Sequence, residues 1–199
     1  MTNLIESSVE ELLKEYNGLL SGHFCLTSGL HSDTYFQCAK LYEHPQAVEQ
    51  LGKRLAEKLS SIEFDTIISP AIGAMIIGYE TAKQSNKRFL FVERKDGVMQ
   101  LRRDYKLAKG EKVIILEDVI TTARTINETV EAIKEFDAEL IGVASIVDRT
   151  KGQTDYNITS LLQVEPVTYE AQDCPLCKQG LELVKPGSRS TEAKEKINA

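Results

Sequence analysis

"VIILEDVITTARTINETV", residues 113–130, passes from four consecutive apolar side chains to two adjacent carboxylates and then to a cluster of threonines. Val113 to Leu116 present apolar groups to both faces, as expected of a central strand in a parallel sheet. Beyond the loop, Ile126, Val130 and Ile133 recur at helical spacing, so "TINETVEAIKEF" reads as a helix with those three turned inward. A buried strand leading through a short loop into a helix is half of a βαβ unit. Ligands of open α/β sheets sit outside the carboxyl ends of such strands, which is where Glu117 and Asp118 emerge.

The flanking sequence repeats the alternation. "FDTIIS" (64–69) reads as a buried strand followed by the loop "PAIGA" and an apolar helix to about Gln84. "RFLFVER" (88–94) and "ELIGVASIVDR" (139–149) are further strands, and "SLLQVEPV" (160–167) is strand-like. The fold class is therefore α/β, a parallel sheet flanked by helices with right-handed crossovers. Upstream, "SSVEELLKEYNGLL" places Val9, Leu12, Leu13, Tyr16 and Leu20 at helical spacing after serine caps. "HFCLTSGLHSDTYFQCAK" (23–40) reads as two short strands around a turn. "PQAVEQLGKRLAEKL" (45–59) is a helix with Pro45 in its first turn and Val48, Leu51, Leu55 and Leu59 on one face. Residues 95–110, "KDGVMQLRRDYKLAKG", are rich in cations and lack periodicity, as a long loop or mobile hairpin would.

The chemistry of the opening stretch is that of a polyanion with hydroxyls. Backbone N–H groups at a helix N-terminus favour a phosphate, and Thr121, Thr122 and Thr125 add donors. Neither G-x-x-x-x-G-K-[ST] nor G-x-G-x-x-G occurs. Two carboxylates beside a phosphate are repelled unless they accept hydrogen bonds from sugar hydroxyls or face a divalent cation. A phosphorylated ribose carrying Mg²⁺ meets both conditions. A plainer reading stands beside it: Thr125-Ile126-Asn127-Glu128 matches S/T-x-x-E, with Thr125 as N-cap and Glu128 closing a capping box.

Composition narrows the class. With 199 residues, 42% hydrophobic and 27% charged, the chain suffices for one domain with a sizeable core. A net charge of -6 argues against a nucleic-acid-coating surface. No segment approaches the roughly 18 apolar residues of a membrane span, and the acid-bearing first dozen residues are unlike a signal peptide. The expectation is a cytoplasmic protein with no nucleic-acid or membrane partner. Among four cysteines, Cys174 and Cys177 form a single C-x-x-C. No second pair and no paired histidines follow it, and recruiting Cys25 and Cys38 lacks support, so it reads as a turn with small buried thiols.

"VIILEDVITTART" resembles the phosphoribosyl-diphosphate motif of the type I phosphoribosyltransferases. "GHFCLTSGLHSDTYFQ", "SPAIGAMIIGYETA", "VERKDG" with "LRR", "SIVDR" and "CPLC…PGSR", in that order, extend the resemblance to the orotate phosphoribosyltransferases over nearly the whole chain. The resemblance implies one domain over 1–199. Residues 1–44 and part of the C-terminal segment would form a hood over the base, and 188–199 a polar tail. It implies a pentosyltransferase that moves ribosyl 5-phosphate from phosphoribosyl diphosphate to N1 of orotate, in pyrimidine (UMP) biosynthesis.

By the same resemblance Glu117 and Asp118 would hold the ribose hydroxyls, and Thr121, Thr122, Ala123, Arg124 and Thr125 the 5-phosphate. Arg149 would meet the orotate carboxylate through two parallel hydrogen bonds, Thr121 would share in that site, and Tyr35 and Phe36 would wall the base. Mg²⁺ would arrive on the diphosphate rather than on protein ligands. The cation-rich segment would close over the neighbouring subunit's site in a homodimer, with Arg94 and Lys95 at its base and Arg102 and Arg103 near its tip. Those four residues and Asp118 are the catalytic candidates.

The pattern is broken at four positions. Thr27 stands where a lysine is usual, and Ser69, Ala74 and Ala123 replace glycines along the ligand-facing edge. Wherever such a position needs positive φ, a Cβ costs about 1 kcal/mol or more. The expectation at Ala123 is a loop already settled into negative φ around the Arg124 cation. Two alternatives remain open from the residues: the same donor with another base, or a non-catalytic phosphoribosyl-diphosphate-binding regulator.

Overall fold

The computed structural model describes residues 8–26, 28–165 and 167–186, so Thr27 and the 188–199 tail lie outside the described residues. A six-stranded sheet in the order β5-β4-β3-β6-β7-β8 is built from β3 (Thr66–Pro70), β4 (Arg88–Lys95), β5 (Val98–Leu101), β6 (Lys112–Ile120), β7 (Glu139–Asp148) and β8 (Ile158–Gln163). All pairings are parallel except β4 with β5. Two-residue alternation divides the apolar groups between the faces. Ile67, Ile114, Leu116, Ala144 and Ile146 pack with Leu51 and Leu55 of α2 (Pro45–Leu59) and Ile77 of α3 (Met75–Gln84). Ile68, Val113, Ile115 and Val143 pack with Ile126 and Ile133 of α4 (Arg124–Ile133) on the other face. Leu51 and Leu55 are fully buried, and each such side chain contributes about 1.5–3 kcal/mol by leaving water.

The second unit is a three-stranded antiparallel sheet of β1 (Leu19–Cys25), β2 (His31–Phe36) and β9 (Thr168–Tyr169) in the order β1-β2-β9, so the C-terminal segment returns to the N-terminal hairpin. Phe24 also bridges Val184. Before it, α1 (Val9–Glu15) starts at Ser8, whose hydroxyl accepts from the Glu11 N–H while Glu11 reaches back to the Ser8 N–H. Helix α1 ends sooner than the spacing suggests. Asn17 takes φ 55°, the chain reverses, and Leu20 belongs to β1 rather than to the helix.

Residues 95–110 are more ordered in outline than a loop. Asp96 and Gly97, with φ 53° and 83°, form a two-residue turn that pairs Lys95 with Val98 and Val92 with Leu101. Positive φ at both central residues suits the twist of a tight hairpin, and Asp-Gly supplies it cheaply. The hairpin tip is therefore Asp96–Gly97. Arg102 and Arg103, expected near the tip, stand at its far end where the returning strand stops.

Candidate functional site

The sheet changes direction of winding between β3 and β6. From β3 the chain crosses outward to β4, and from β6 it crosses the other way to β7, so the loops after β3 and β6 part at their carboxyl ends. Such a switch point leaves a crevice. The loops meet there, since a Cβ at Gly73 would lie 3.5 Å from Asp118 Oδ2. The Tyr42 hydroxyl, from the segment after β2, donates to the Gly73 carbonyl at 2.6 Å.

Glu117 lies in β6 opposite Ser145 and is buried, with Asp118 half-buried beside it. The acids have few donors: Val119 N–H reaches Asp118 Oδ1 at 2.9 Å, and Asp118 N–H reaches Glu117 Oε1 at 3.4 Å. Burial pushes the Glu117 carboxyl well above the usual carboxylate range, and the neighbouring Asp118 charge pushes it further. Burial also raises Asp118. A pair that resists double ionisation invites hydroxyl donors or a cation.

After β6, Thr121 and Thr122 are exposed and Thr125 half-buried around the start of α4. Ala123 is the N-cap, with φ 53° and no side-chain cap bond. The expectation of negative φ at Ala123 is thus overturned. The chain must turn sharply from strand to helix there, and an alanine occupies the left-handed conformation that glycine adopts without strain. The other two replaced glycines are not left-handed. Ala74 has φ −96°, and Ser69 is absent from the positive-φ residues. Room for the Ser69 side chain comes from Gly78 of α3, where a Cβ would sit 2.0 Å from Ser69 Oγ.

Thr125 is not the N-cap either, and Glu128 closes no box on it. Glu128 instead accepts from Arg124 Nε at 3.0 Å and from Arg94 Nη2. Both guanidiniums hold its carboxyl below the usual range against the cost of its burial. At the hairpin's far end, Glu93 gathers Arg102 at 3.3 Å and Arg103 at 3.1 Å, and Arg103 also lies over Phe91. Lys95 is exposed on the hairpin. The sequence leaves Glu93 unremarked and assigns Glu128 to Thr125, because one partner lies across the hairpin and the other 34 residues beyond Arg94.

Arg149 follows β7, tied to the end of β6 by its N–H on the Ile120 carbonyl at 2.9 Å. Its guanidinium lies 5.8 Å from the Phe36 ring centre, and its Nε finds no hydrogen-bond partner among the described residues. Burial lowers its proton affinity, with the nearby Tyr35 opposing. Tyr35 in turn is raised by burial first, then by Asp118, while Arg149 pulls the other way. Tyr35 and Phe36 at the end of β2 thus lie beside Arg149, and the charges of Asp118 and Arg149 both reach Tyr35. A planar anion with a carboxylate can meet Arg149 at one end, and a sugar phosphate can lie across the acids toward α4.

Comparisons with known proteins identify the family. Residues 38–176 match the phosphoribosyl transferase domain model. The orotate phosphoribosyltransferase of Caldanaerobacter subterraneus subsp. tengcongensis is 45% identical over 186 residues, 92% of this chain and 98% of that protein. The orotate phosphoribosyltransferase of Caldicellulosiruptor bescii is 46% identical over 181 residues, 90% of this chain and 95% of that protein. In fold, the orotate phosphoribosyltransferase crystal structure from Aeropyrum pernix superposes with TM-score 0.66 at 20% identity, over 79% of this chain and 94% of that one. The match of residues 38–176 to the phosphoribosyl transferase domain, together with 45–46% identity to these relatives over 90–92% of the chain, places the chain in the orotate phosphoribosyltransferase family.

Proposed function

We propose that the chain transfers ribosyl 5-phosphate from phosphoribosyl diphosphate to N1 of orotate, with the switch-point pocket as its active site. The observation that carries the residue roles is the buried Arg149 Nε without a partner, beside Tyr35, which also feels the Asp118 charge, next to two acids that have few donors of their own. The N–H groups at the start of α4, with the hydroxyls of Thr121, Thr122 and Thr125, hold the 5-phosphate beside Ala123 and Arg124. Glu117 and Asp118 accept from the ribose hydroxyls. Arg149 pairs with the orotate carboxylate, Thr121 borders it, and Tyr35 and Phe36 wall the ring.

The C1–N1 bond forms as the bond from C1 to the diphosphate oxygen breaks, leaving positive charge on the sugar in between. The acid pair lies where that charge is favoured, and the enclosed hood keeps water from taking the activated sugar. Arg94, Lys95, Arg102 and Arg103 carry charge complementary to the departing diphosphate. Three of them are held by Glu93 and Glu128, so engagement requires an exchange of carboxylate for diphosphate. Adjacent carboxylates in which burial disfavours full ionisation fit a nearby Mg²⁺ carried by the diphosphate. Bound there, the ion supplies Lewis-acid neutralisation of the leaving group. In a homodimer the β4–β5 hairpin serves the neighbour's site, and the reaction belongs to the cytoplasm.

The test offers phosphoribosyl diphosphate and Mg²⁺ with orotate, uracil, adenine and hypoxanthine, and follows which base disappears. Consumption of orotate is expected. Consumption of another base alone, or tight donor binding with no base consumed, would replace this reading with one of its alternatives. For the exchanged hairpin, mixed Arg102→Ala/Arg103→Ala and Asp118→Asn subunits regain turnover that neither has alone. Heterodimers seen by native mass spectrometry without recovery would assign the hairpin to its own subunit.

A further inference from the structure

Away from the pocket, the hood gathers four ligand-type side chains. His23 of β1, His31 of β2, and Cys174 and Cys177 around the short helix α5 (Pro175–Lys178) offer one ligand atom each, all within 4.8 Å of one another. We propose that these residues form a structural Zn²⁺ site that fastens the C-terminal segment to the N-terminal hairpin.

The distances support a tetrahedron. Zn–S bonds of about 2.3 Å and Zn–N bonds of about 2.0–2.1 Å imply S···N edges of about 3.6 Å and an N···N edge of about 3.3 Å. Cys174 Sγ to His23 Nε2 is 3.5 Å, Cys177 Sγ to His23 Nε2 is 3.7 Å, and Cys177 Sγ to His31 Nδ1 is 3.4 Å. The two imidazole nitrogens, 2.9 Å apart, need to separate by only a few tenths of an ångström.

Hydrogen bonding alone accounts poorly for the cluster. His23 Nδ1 lies 2.9 Å from the Leu181 carbonyl, which only accepts, so the ring proton belongs on Nδ1 and Nε2 presents a single lone pair. Three groups converge on that lone pair: His31 Nδ1 and both sulfurs. One lone pair cannot satisfy three donors, whereas a cation accepts all four ligands with both thiols deprotonated. The Leu181 contact then acts as the outer hydrogen bond that fixes ring orientation in metal-bound histidines. His23, His31 and Cys174 are buried and all four positions come from the protein, as in a closed structural site.

The need for a fastener is physical. A two-stranded hairpin is only marginally stable by itself and needs a third strand or other support. Here β9 contributes two residues, and the Val184 N–H on the His23 carbonyl and the Cys25 N–H on the Val184 carbonyl, both 2.8 Å, add little more. A metal would tie β1, β2 and the returning segment at one point, on the strand that carries Tyr35 and Phe36. The histidines precede the C-x-x-C by some 150 residues, so a search for ligands following it misses them.

The full chain, purified without a histidine tag after growth with added zinc, is assayed by inductively coupled plasma mass spectrometry. About one Zn²⁺ per chain is expected, retained by Cys25→Ser and lost in Cys177→Ser and His31→Gln. Replacement by Co²⁺ should give the intense visible bands of tetrahedral coordination with a thiolate charge-transfer band. Both should vanish in Cys177→Ser, and chelation should lower the thermal midpoint of the wild type. Should the variants fail to fold, the wild-type cobalt spectrum decides. Wild-type protein that binds no zinc after reconstitution with excess ion and dialysis, a cobalt spectrum without thiolate character, or zinc retained by Cys174→Ser/Cys177→Ser would overturn the site.

Discussion

The carboxyl edge of the large sheet and the far end of the hood both concentrate polar side chains in buried surroundings, but they treat them differently. At the sheet edge the groups come mostly from one short stretch and remain unsatisfied: Glu117 resists ionisation, Arg149 Nε has no partner, and Ala123 holds a left-handed backbone. In the hood, His23, His31, Cys174 and Cys177 come from both ends of the chain and face one another. Unmet demand on a rigid strand edge marks a place for a transient ligand, since burial without a partner destabilises and is tolerated where binding supplies the partner. Ligand-type groups drawn from distant segments around one point, as the proposed Zn²⁺ site requires, mark a place that holds the fold together. Substitutions should therefore damage function at the first and stability at the second.

The largest effect is expected at Arg149. Arg149→Ala should raise the KM for orotate by an amount equivalent to about 2–5 kcal/mol, with the thermal midpoint nearly unchanged. An unchanged orotate KM would move the carboxylate site elsewhere and remove the sheet edge's clearest unsatisfied group.

Glu117→Gln separates function from stability more sharply. Turnover with phosphoribosyl diphosphate should fall by about 10²-fold, as for loss of one preorganised hydrogen-bonding group. Stability should move the opposite way. Because burial raises the folded-state value above 4.5, the native protein holds the proton over a window where the unfolded chain has released it. Wild-type stability therefore declines as pH rises from the ordinary carboxylate range through that raised value. Glutamine removes the decline, so the variant should be the more stable at neutral pH and show no advantage below pH 4. Denaturant midpoints across pH test the sign, and a variant less stable at neutral pH would contradict it.

In the hood, Ser32 is fully buried and its hydroxyl donates to the Val167 carbonyl at 2.9 Å. Ser32→Ala should cost about 1–3 kcal/mol of stability and leave the KM for phosphoribosyl diphosphate unchanged. A change in that KM without loss of stability would break the division between the two regions. The smallest effect belongs to Ala123→Gly, which relieves a left-handed alanine worth about 1 kcal/mol and should tighten phosphoribosyl-diphosphate binding severalfold. Calorimetric titration of the glycine variant measures it, and weaker binding would mean the alanine is what keeps the phosphate loop in shape.

How much of this was readable beforehand follows the same division. The strand from Val113, the acids, the α2 face and the position of Arg149 lie in local patterns whose period fixes them. The hairpin turn at Asp96–Gly97 was also local, a two-residue signal obscured by the surrounding cations. Three features were beyond local reach. Glu128 could be assigned to Thr125 by spacing, and only the sheet shows that Arg94 claims it. The positive φ of Ala123 carries no signature in a residue that rarely adopts it. His23 and His31 become ligand candidates for the C-x-x-C only once β1, β2 and the returning segment are placed together.

The fit of Ser69 against Gly78 has a consequence for how such a sequence could have arisen. A hydroxymethyl at 69 and any side chain at 78 exclude each other, because they would occupy the same space at 2.0 Å. A lineage could accept serine at 69 only while 78 was still glycine, and once serine was in place the glycine became locked. The two positions thus form a one-way constraint: reversion at 69 is free, whereas 78 stays confined even then, because a Cβ there would also lie 2.9 Å from Phe89 Cε2. Ancestral reconstructions of this branch should find glycine at 78 at every node that carries serine at 69.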